Sequence, residues 1–566
     1  MPHQSTTQPL APPPTAEWWR DAVIYQVYIR SFADGNGDGL GDIAGLRARL
    51  PYLAGLGVDA IWINPWYPSP MADAGYDVAD YRAIEPAFGT LDEARQLIDE
   101  AHGLGLRVVL DLVPNHTSDQ HAWFQAALAA EPGSPERARY HFRPGRGADG
   151  ELPPNDWPSV FGGLAWTRVT ESDGTPGEWY LHLFAPQQPD LDWDNQEVRA
   201  EFESVLRFWF DLGVDGFRID VASALVKAPG LPDLGGVLGD PYDYFSRDQA
   251  DHPHWDRDGV HEIYRAWRAV ADSYEVPRAF TAEAWVDGPE RLARYLRPDE
   301  LHTAFNFEFL AAPWLAGPLR KVIDGSLSGV AAVGAPTTWV LSNHDVARHP
   351  SRYGRPQQDR SVQALAQLTD PLDPELGRRR ARAAALLMLA LPGGAYVYQG
   401  EELGLAEVED LPAEVLQDPT WERSGHTDKG RDGCRVPLPW SGGEPPFGFS
   451  PDGATAEPWL PQPRAWKDCT AEAQAGDPGS MLELYRAALR LRREHAALGD
   501  GTLRWLDAPQ DTLVFAREPG LVCAVNFSAE PWPLPAGGEV LLASGALDEG
   551  RLPQDTAVWL AVDGLS

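Results

Sequence analysis

Between residues 23 and 402 the chain repeats one pattern eight times: a short run rich in apolar, β-branched and aromatic residues, then a segment of helical character. The runs lie at 23–32, 59–65, 107–116, 213–221, 278–285, about 302–309, 337–345 and 393–402. Runs of this length and composition are strands rather than helices. Between the second and third, Thr90-Leu-Asp-Glu93 is a capping box that opens a helix. Ala94, Leu97, Ile98, Ala101 and Leu104 then form one apolar face at helical spacing, as do Val198, Phe202, Val205, Leu206 and Trp209 before the fourth run. Eight strands alternating with helices predict an α/β fold, the (β/α)8 TIM barrel.

Two interruptions and the two ends complete the plan. Residues 117–190 are too long for a plain crossover and carry their own aromatic residues and Gly/Pro turns, so they predict an inserted subdomain B after the third strand. Residues 403–479, rich in Pro, Gly and Trp, read as long loops over the site face of the barrel. Residues 17–116 and 191–498 are then the barrel, closed by a last helix at 481–497. From 499 to 566 short strands (502–506, 512–517, 521–527, 539–542, 557–562) predict a C-terminal antiparallel β domain C. Residues 1–16, polar and proline-rich with no apolar core, read as a disordered tail.

Composition narrows the partners. A net charge of −36 argues against nucleic acid and anionic membranes, and no apolar run reaches membrane-spanning length. Three scattered cysteines make neither a disulfide framework nor a zinc motif. Twenty-two tryptophans suit stacking on sugars as well as core packing. The expectation is a cytoplasmic enzyme acting on a small neutral substrate.

The chemistry collects at strand ends. The fourth run, Gly213-Val-Asp-Gly-Phe-Arg-Ile-Asp-Val221, has strand character yet carries Asp215, Arg218 and Asp220. Residues two apart share a strand face, so Arg218 can hold Asp220 ionised. That makes Asp220 either a nucleophile or half of a structural ion pair. The third strand ends in Asp111 and Asn115-His116, the fifth in Glu283, the seventh in Asn343-His344-Asp345. In a barrel these ends meet on one face. No Ser or Cys sits beside a base, and there is no glycine-rich phosphate loop or histidine pair at metal spacing. Paired carboxylates with a third acid suit glycoside hydrolysis. Asp220 and Glu283, on neighbouring strands, fit the retaining separation of about 5–5.5 Å. Glu283 lies between Ala282 and Ala284-Trp285, an apolar setting suited to an acid that stays protonated near neutrality.

Asp111-Leu-Val-Pro-Asn-His116, Gly216-Phe-Arg-Ile-Asp220, Ala282-Glu-Ala-Trp285 and Ser342-Asn-His-Asp345 resemble, in order and spacing, the four conserved regions of the α-amylase family, glycoside hydrolase family 13. Gln188-Pro-Asp-Leu191 resembles the extra motif of its oligo-1,6-glucosidase and α-glucosidase branch. The resemblance implies Asp220 as nucleophile, Glu283 as general acid/base and Asp345 as the third carboxylate, gripping sugar hydroxyls. It implies His116 and His344 as hydroxyl ligands, Arg218 as the group orienting Asp220, Tyr76 as a stacking platform and Phe184 as an aromatic wall. It assigns Asp77 to the terminal glucose and Arg435, in Arg431-Asp-Gly-Cys-Arg435, to an arginine that reaches that aspartate and closes the pocket.

A closed pocket implies a retaining exo-α-glucosidase on maltose, isomaltose or related oligosaccharides, without organic cofactor, as monomer or homodimer. The alternative is a transglucosidase or sugar isomerase of the same family, acting on sucrose or trehalose. Val221 is the residue type the family associates with α-1,6 bonds, whereas Ala222-Ser-Ala224 departs from the oligo-1,6-glucosidase pattern. In Asp34-Gly-Asn-Gly-Asp-Gly-Leu-Gly-Asp42, alternating oxygen-bearing residues and glycines look like the first half of a calcium loop. Position 12 is Gly45, so it is not an EF-hand. The resemblance implies a structural Ca2+ (or Mg2+) held by Asp34, Asn36, Asp38, Asp42 and the Leu40 carbonyl.

Overall fold

The computed structural model describes residues 17–235, 252–357, 370–534 and 538–562. The expected tail at 1–16 lies outside the described residues. Eight strands form one sheet: β1 (Val23–Val27), β2 (Ala60–Ile63), β3 (Arg107–Leu112), β4 (Gly216–Ile219), β5 (Ala279–Ala282), β6 (Thr303–Ala304), β7 (Thr338–Val340) and β8 (Gly394–Tyr398). Their order is β7-β8-β1-β2-β3-β4-β5-β6, and every pairing is parallel. The sheet is a nearly closed barrel. No ladder joins β6 to β7 among the described residues; the Thr338 hydroxyl, donating to the Ala304 carbonyl, bridges that seam. The strands are buried on both faces, as a parallel sheet wrapped in helices requires.

The helices follow their sequence signals. Leu91–Gly103 opens on the complete Thr90/Glu93 capping box and buries Ala94, Leu97, Ile98 and Ala101. Gln196–Asp211 is capped by the Asn195 side chain and buries Val198, Phe202, Val205, Leu206 and Trp209. Ser480 caps Met481–Glu494. A Cβ on Gly216 would stand 2.5 Å from the Ala279 carbonyl, so glycine lets β4 lie against β5.

Strand lengths are where the sequence reading errs. The run at 302–309 is a strand only at Thr303–Ala304, and Phe307–Ala311 is helical. The Asn306 side chain accepts from the Phe309 N–H and starts that helix, overriding the aromatic alternation that suggested a strand. Ile29–Ser31 likewise turns into a 3-10 helix after β1.

Residues 117–190 carry their own three-stranded antiparallel sheet, Phe142–Arg143, Pro176–Leu181 and Trp166–Thr170. It joins the barrel mouth through bridges His116–Asp190 and Tyr140–Leu191. Residues 403–479 hold short helices only, but Leu438, Trp440, Phe447 and Leu460 are buried in the main core. The C-terminal domain is a five-stranded antiparallel sheet plus a two-stranded one. It docks on helix Pro374–Ala390 through Trp559 Nε1 to the Leu386 carbonyl and Arg517 Nη1 to the Ala390 carbonyl. Among the described residues no helix is long and apolar enough to cross a membrane.

Candidate active site

Register sets the centre of the site. Asp111 on β3 lies beside Arg218 on β4, and Arg218 beside Thr281 on β5. The Arg218 guanidinium, almost fully buried, therefore meets carboxylates from three elements. Its Nη1 lies 2.9 Å from Asp111 Oδ1 and 2.6 Å from Asp220 Oδ1, and its Nη2 lies 2.7 Å from Glu283 Oε2. Asp220 and Glu283 thus stand together at the ends of neighbouring strands. Glu283 is not in the purely apolar setting its neighbours suggested. Oε2 also accepts from the Val221 N–H at 3.0 Å, and Oε1 from Trp285 Nε1 at 3.3 Å.

Three carboxylates on one guanidinium leave negative charge in excess. Burial pushes Asp111 up to about 6, against the pull of Arg218. Burial also carries Asp220 well above its ordinary value; Arg218 pulls it down, while Glu283 and Asp111 push it up. Asp111 and Asp220 titrate together, and between them they hold a proton above the ordinary carboxylate range.

Asp345, after β7, faces this cluster under different control. Burial raises it, but the cations Arg431, Arg435 and Arg218 outweigh that and hold it below its usual value. Arg435 Nη2 and Arg431 Nη1 each lie 3.1 Å from Asp345 Oδ1. His344 stacks on Tyr76, rings 5.2 Å apart at 12°. Gln26 Nε2 donates to His344 Nδ1 at 2.8 Å, which leaves the ring proton on Nε2, 3.3 Å from Asp345 Oδ2. Burial lowers His344 far below its ordinary value, so it is a neutral donor. Tyr76 donates to Asp111 Oδ2 at 2.9 Å and accepts from Asn64 Nδ2 at 2.7 Å. It thereby joins the stacking wall to the carboxylate cluster.

His116 and Phe184 form a second ring contact beside it, centroids 5.2 Å apart. His116 Nε2 is within 3.1 Å of the Tyr76 carbonyl and 3.0 Å of Gln188 Nε2. Behind it, Lys227 Nζ lies 2.8 Å from Asp190 Oδ2, from Asn115 Oδ1 and from the Ala224 carbonyl. This buried ammonium ties the end of β3, the inserted subdomain and the segment after β4 together.

Two assignments are corrected. Asp77 does not face the pocket. It is fully buried, and its carboxylate accepts from the Ser69 hydroxyl and the Ala72 and Asp73 N–H groups of its own loop. Asp73, three residues before Tyr76, is the acid of this loop that meets the site, through Gln188 Nε2 at 3.0 Å. Arg435 does not reach that aspartate either; it binds the His344 carbonyl and Asp345. The arginine that does is Arg431, with Nη2 2.7 Å from Asp73 Oδ1, Nη1 on Asp345 and Nε 2.5 Å from Asp418 Oδ2. Its guanidinium also lies over the Phe161 ring at 5.4 Å. Arg423 binds the carbonyls of Phe161 and Gly162. These contacts draw the loop after β8 against the inserted subdomain over one side of the pocket. Arg431 stood within a motif read from the sequence and Asp73 two residues before one, but spacing alone did not show which acid and which arginine would meet.

The loop at 34–42 lies away from this chemistry. Asp34 accepts from the N–H groups of Asn36, Gly37 and Gly39, Asp42 from those of Gly35, Asn36 and Gly45, and Asp38 from Leu40. Among the described residues no three carboxylate, histidine or cysteine side chains converge closely enough to hold a metal alone. An ion here needs the Asn36 amide and Leu40 carbonyl as well, a set of hard oxygens of the kind Ca2+ takes. The donor set fits by its chemistry: Asp34 and Asp42 are both buried and both accept from the Asn36 N–H, so two carboxylates meet in this loop.

A parallel barrel with three acids at its strand ends defines a carboxylate-dependent barrel enzyme, and comparison with known proteins narrows the class. The profile "Alpha amylase, catalytic domain" matches residues 26–501, and a domain of unknown function, DUF3459, matches 495–559. A probable α-glucosidase of Rhizobium meliloti is 38% identical over 541 residues, 91% of this chain and 90% of that one. An oligo-1,6-glucosidase of Parageobacillus thermoglucosidasius is 35% identical over 519 residues, 86% of this chain and 85% of that one. The solved structure of an α-glucosyl transfer enzyme, XgtA, superimposes with a TM-score of 0.82 at 37% identity, covering 96% of this chain and 99% of that one. The chain belongs to the α-amylase family, glycoside hydrolase family 13, in its α-glucosidase and oligo-1,6-glucosidase branch, and is a glycoside hydrolase.

Proposed function

We propose that the protein is a retaining, exo-acting α-glucosidase that releases glucose from the non-reducing end of short α-glucosides such as maltose or isomaltose. One observation carries the reading: Asp220 and Glu283 are bound by the two terminal nitrogens of one guanidinium. A single arginine spans carboxylates at the retaining separation, about 5–5.5 Å, more readily than at the 6.5–9.5 Å or so of an inverting pair. Arg218 fixes Asp220 Oδ1, leaving Oδ2 to bond the anomeric carbon as Glu283 gives its proton to the departing glycosidic oxygen. Glu283 then takes a proton from water, whose oxygen displaces Asp220. Asp345, His344 and His116 hold the sugar hydroxyls, with Tyr76 and Phe184 as walls. Arg431, bridging Asp73, Asp418 and Asp345, ties the loops after β2 and β8 together beside Asp345, and this supports exo action.

Glucosyl transfer is the second reading, and the likeness to an α-glucosyl transfer enzyme favours it. The covalent intermediate is the same; a sugar hydroxyl, rather than water, takes the glucosyl group. A sucrose or trehalose isomerase would follow the same course. Anomer-resolved NMR on maltose, isomaltose and sucrose tests these readings. α-Glucose as first product and a nearly inactive Asp220→Asn support the retaining glucosidase. β-Glucose first would overturn the roles of Asp220 and Glu283, and a disaccharide product would replace hydrolysis by transfer. We also propose that the loop at 34–42 binds Ca2+ as a structural ion.

A further inference from the structure

Val221 directly follows Asp220 and has a φ of 45°. Ten non-glycine residues among those described have positive φ, and Val221 is the one β-branched residue in that group. A β-branched side chain in the left-handed region is a genuine outlier. Such strain persists only where the surroundings enforce it, and it concentrates at working sites.

What enforces it is a double grip on Glu283. The Val221 N–H donates to Glu283 Oε2 at 3.0 Å, and the Ala222 N–H donates to the Glu283 carbonyl at 2.8 Å. In an extended strand successive N–H groups point to opposite sides. A helical-sense turn brings consecutive amides to one side, as in the nests that bind anions. Asp220, directly after β4, still bonds the neighbouring strand through its N–H on the Leu112 carbonyl, and the chain reverses at Val221. The turn is locked from beyond by the Ala224 N–H on the Val221 carbonyl and by the Tyr264 hydroxyl on the Ala222 carbonyl. The Val221 side chain is buried in the apolar cluster that also holds Leu183, Phe184 and Trp166.

We propose that Val221 is a positioning residue for the acid/base: its left-handed backbone turns two successive amides onto Glu283, and its own N–H fixes which way that carboxylate faces. Oε2, holding both Arg218 and the Val221 N–H, is the anchored oxygen. Oε1 is then the oxygen that carries the proton to the leaving group. This rests on the acid/base role given to Glu283 above.

The test uses the full-length enzyme labelled with 15N-valine. The Val221 amide resonance, assigned by its loss in Val221→Ala, is expected to titrate with a midpoint equal to the basic limb of kcat/KM. In Glu283→Gln that titration disappears. A second probe replaces the Val221 amide by an ester, introducing 2-hydroxyisovalerate at that position. Losing a donor to the ionised form favours the protonated carboxyl, so the basic limb moves up by about one pH unit. Val221→Gly, which keeps the N–H and accepts positive φ, leaves the limb where it was. An amide resonance indifferent to Glu283→Gln, or an active ester variant with an unmoved limb, would overturn the positioning role. A wild-type enzyme that cleaves no α-glucoside would instead remove the functional reading beneath it.

Discussion

Arg431 and Asp73 stand 358 positions apart in sequence and meet at 2.7 Å across the mouth of the barrel. The same guanidinium binds Asp418 and Asp345, the third of the candidate carboxylates. One side chain thus joins the loop after β8, the loop after β2 and the end of β7.

Removing that junction should weaken catalysis and folding together. Breaking one partner out of a buried charge network costs about 3–5 kcal/mol. If about 3 kcal/mol of this falls on transition-state binding, Arg431→Met lowers kcat/KM by about 100-fold. Arg431→Lys does not restore it, because an ammonium lacks the planar fork that serves three acids. Steady-state kinetics on both variants check this; a lysine variant with wild-type kcat/KM would show that charge alone suffices.

Asp73 and Asp77 should separate into different phenotypes. Asp77 satisfies three donors of its own loop. Asp77→Ala leaves them unpaired and costs about 1–3 kcal/mol of stability. Asp73→Ala lowers kcat/KM first, with the smaller change in Tm. Thermal melts and kinetics on the pair decide it, and the reverse ordering would return Asp77 to the sugar site.

Lys227 should matter to folding without touching substrate. Asp190 is fully buried against it. Lys227→Met strands that carboxylate, and the expected loss in urea denaturation is about 3–5 kcal/mol. Lys227→Met combined with Asp190→Asn recovers part of it, because the two sites are coupled. No recovery would mean the ammonium acts mainly through Asn115 and the Ala224 carbonyl.

Glu401 gives stability a pH slope of predictable sign. It is buried behind β8, accepting from the Tyr485 hydroxyl at 3.2 Å. Burial pushes it up to about 8, and Glu402 adds to that. Glu407 is pushed up to about 7 by burial. A carboxyl raised in the folded state binds more protons there than in the unfolded chain. Its contribution is full below the ordinary glutamate range and is lost as pH rises through about 8. Glu401→Gln should therefore flatten the fall of stability between pH 5 and pH 9, by on the order of a few kcal/mol at the alkaline end. Chemical denaturation across that range checks it, and parallel wild-type and variant profiles would rule it out.

The loop at 34–42 should respond to calcium. At a free Ca2+ concentration 100 times Kd, binding adds about 2.7 kcal/mol to the folded state. Chelation should lower Tm and added Ca2+ should restore it, while Asp34→Ala abolishes the response. A Tm insensitive to both would leave the loop as a hydrogen-bonded turn without an ion.

Much of the element plan, and the candidate carboxylates, could be read from the sequence by itself. Strand runs, capping signals and apolar faces are local, so the capping box at Thr90 and the buried face of residues 196–211 were legible directly. Asp220, Glu283 and Asp345 were legible because each ends a barrel strand, and barrel geometry brings such ends together. Only the tertiary structure decided which loop charges meet. Asp73 and Asp77 are equally plausible acids in sequence, as are Arg431 and Arg435 as arginines. A side chain's partner across 358 residues depends on how two loops pack, not on local pattern. The same holds for the short β6, where one capping asparagine overrode an aromatic run, and for Val221. Its strain follows from the two amides it turns onto Glu283, a contact that no single stretch of sequence contains.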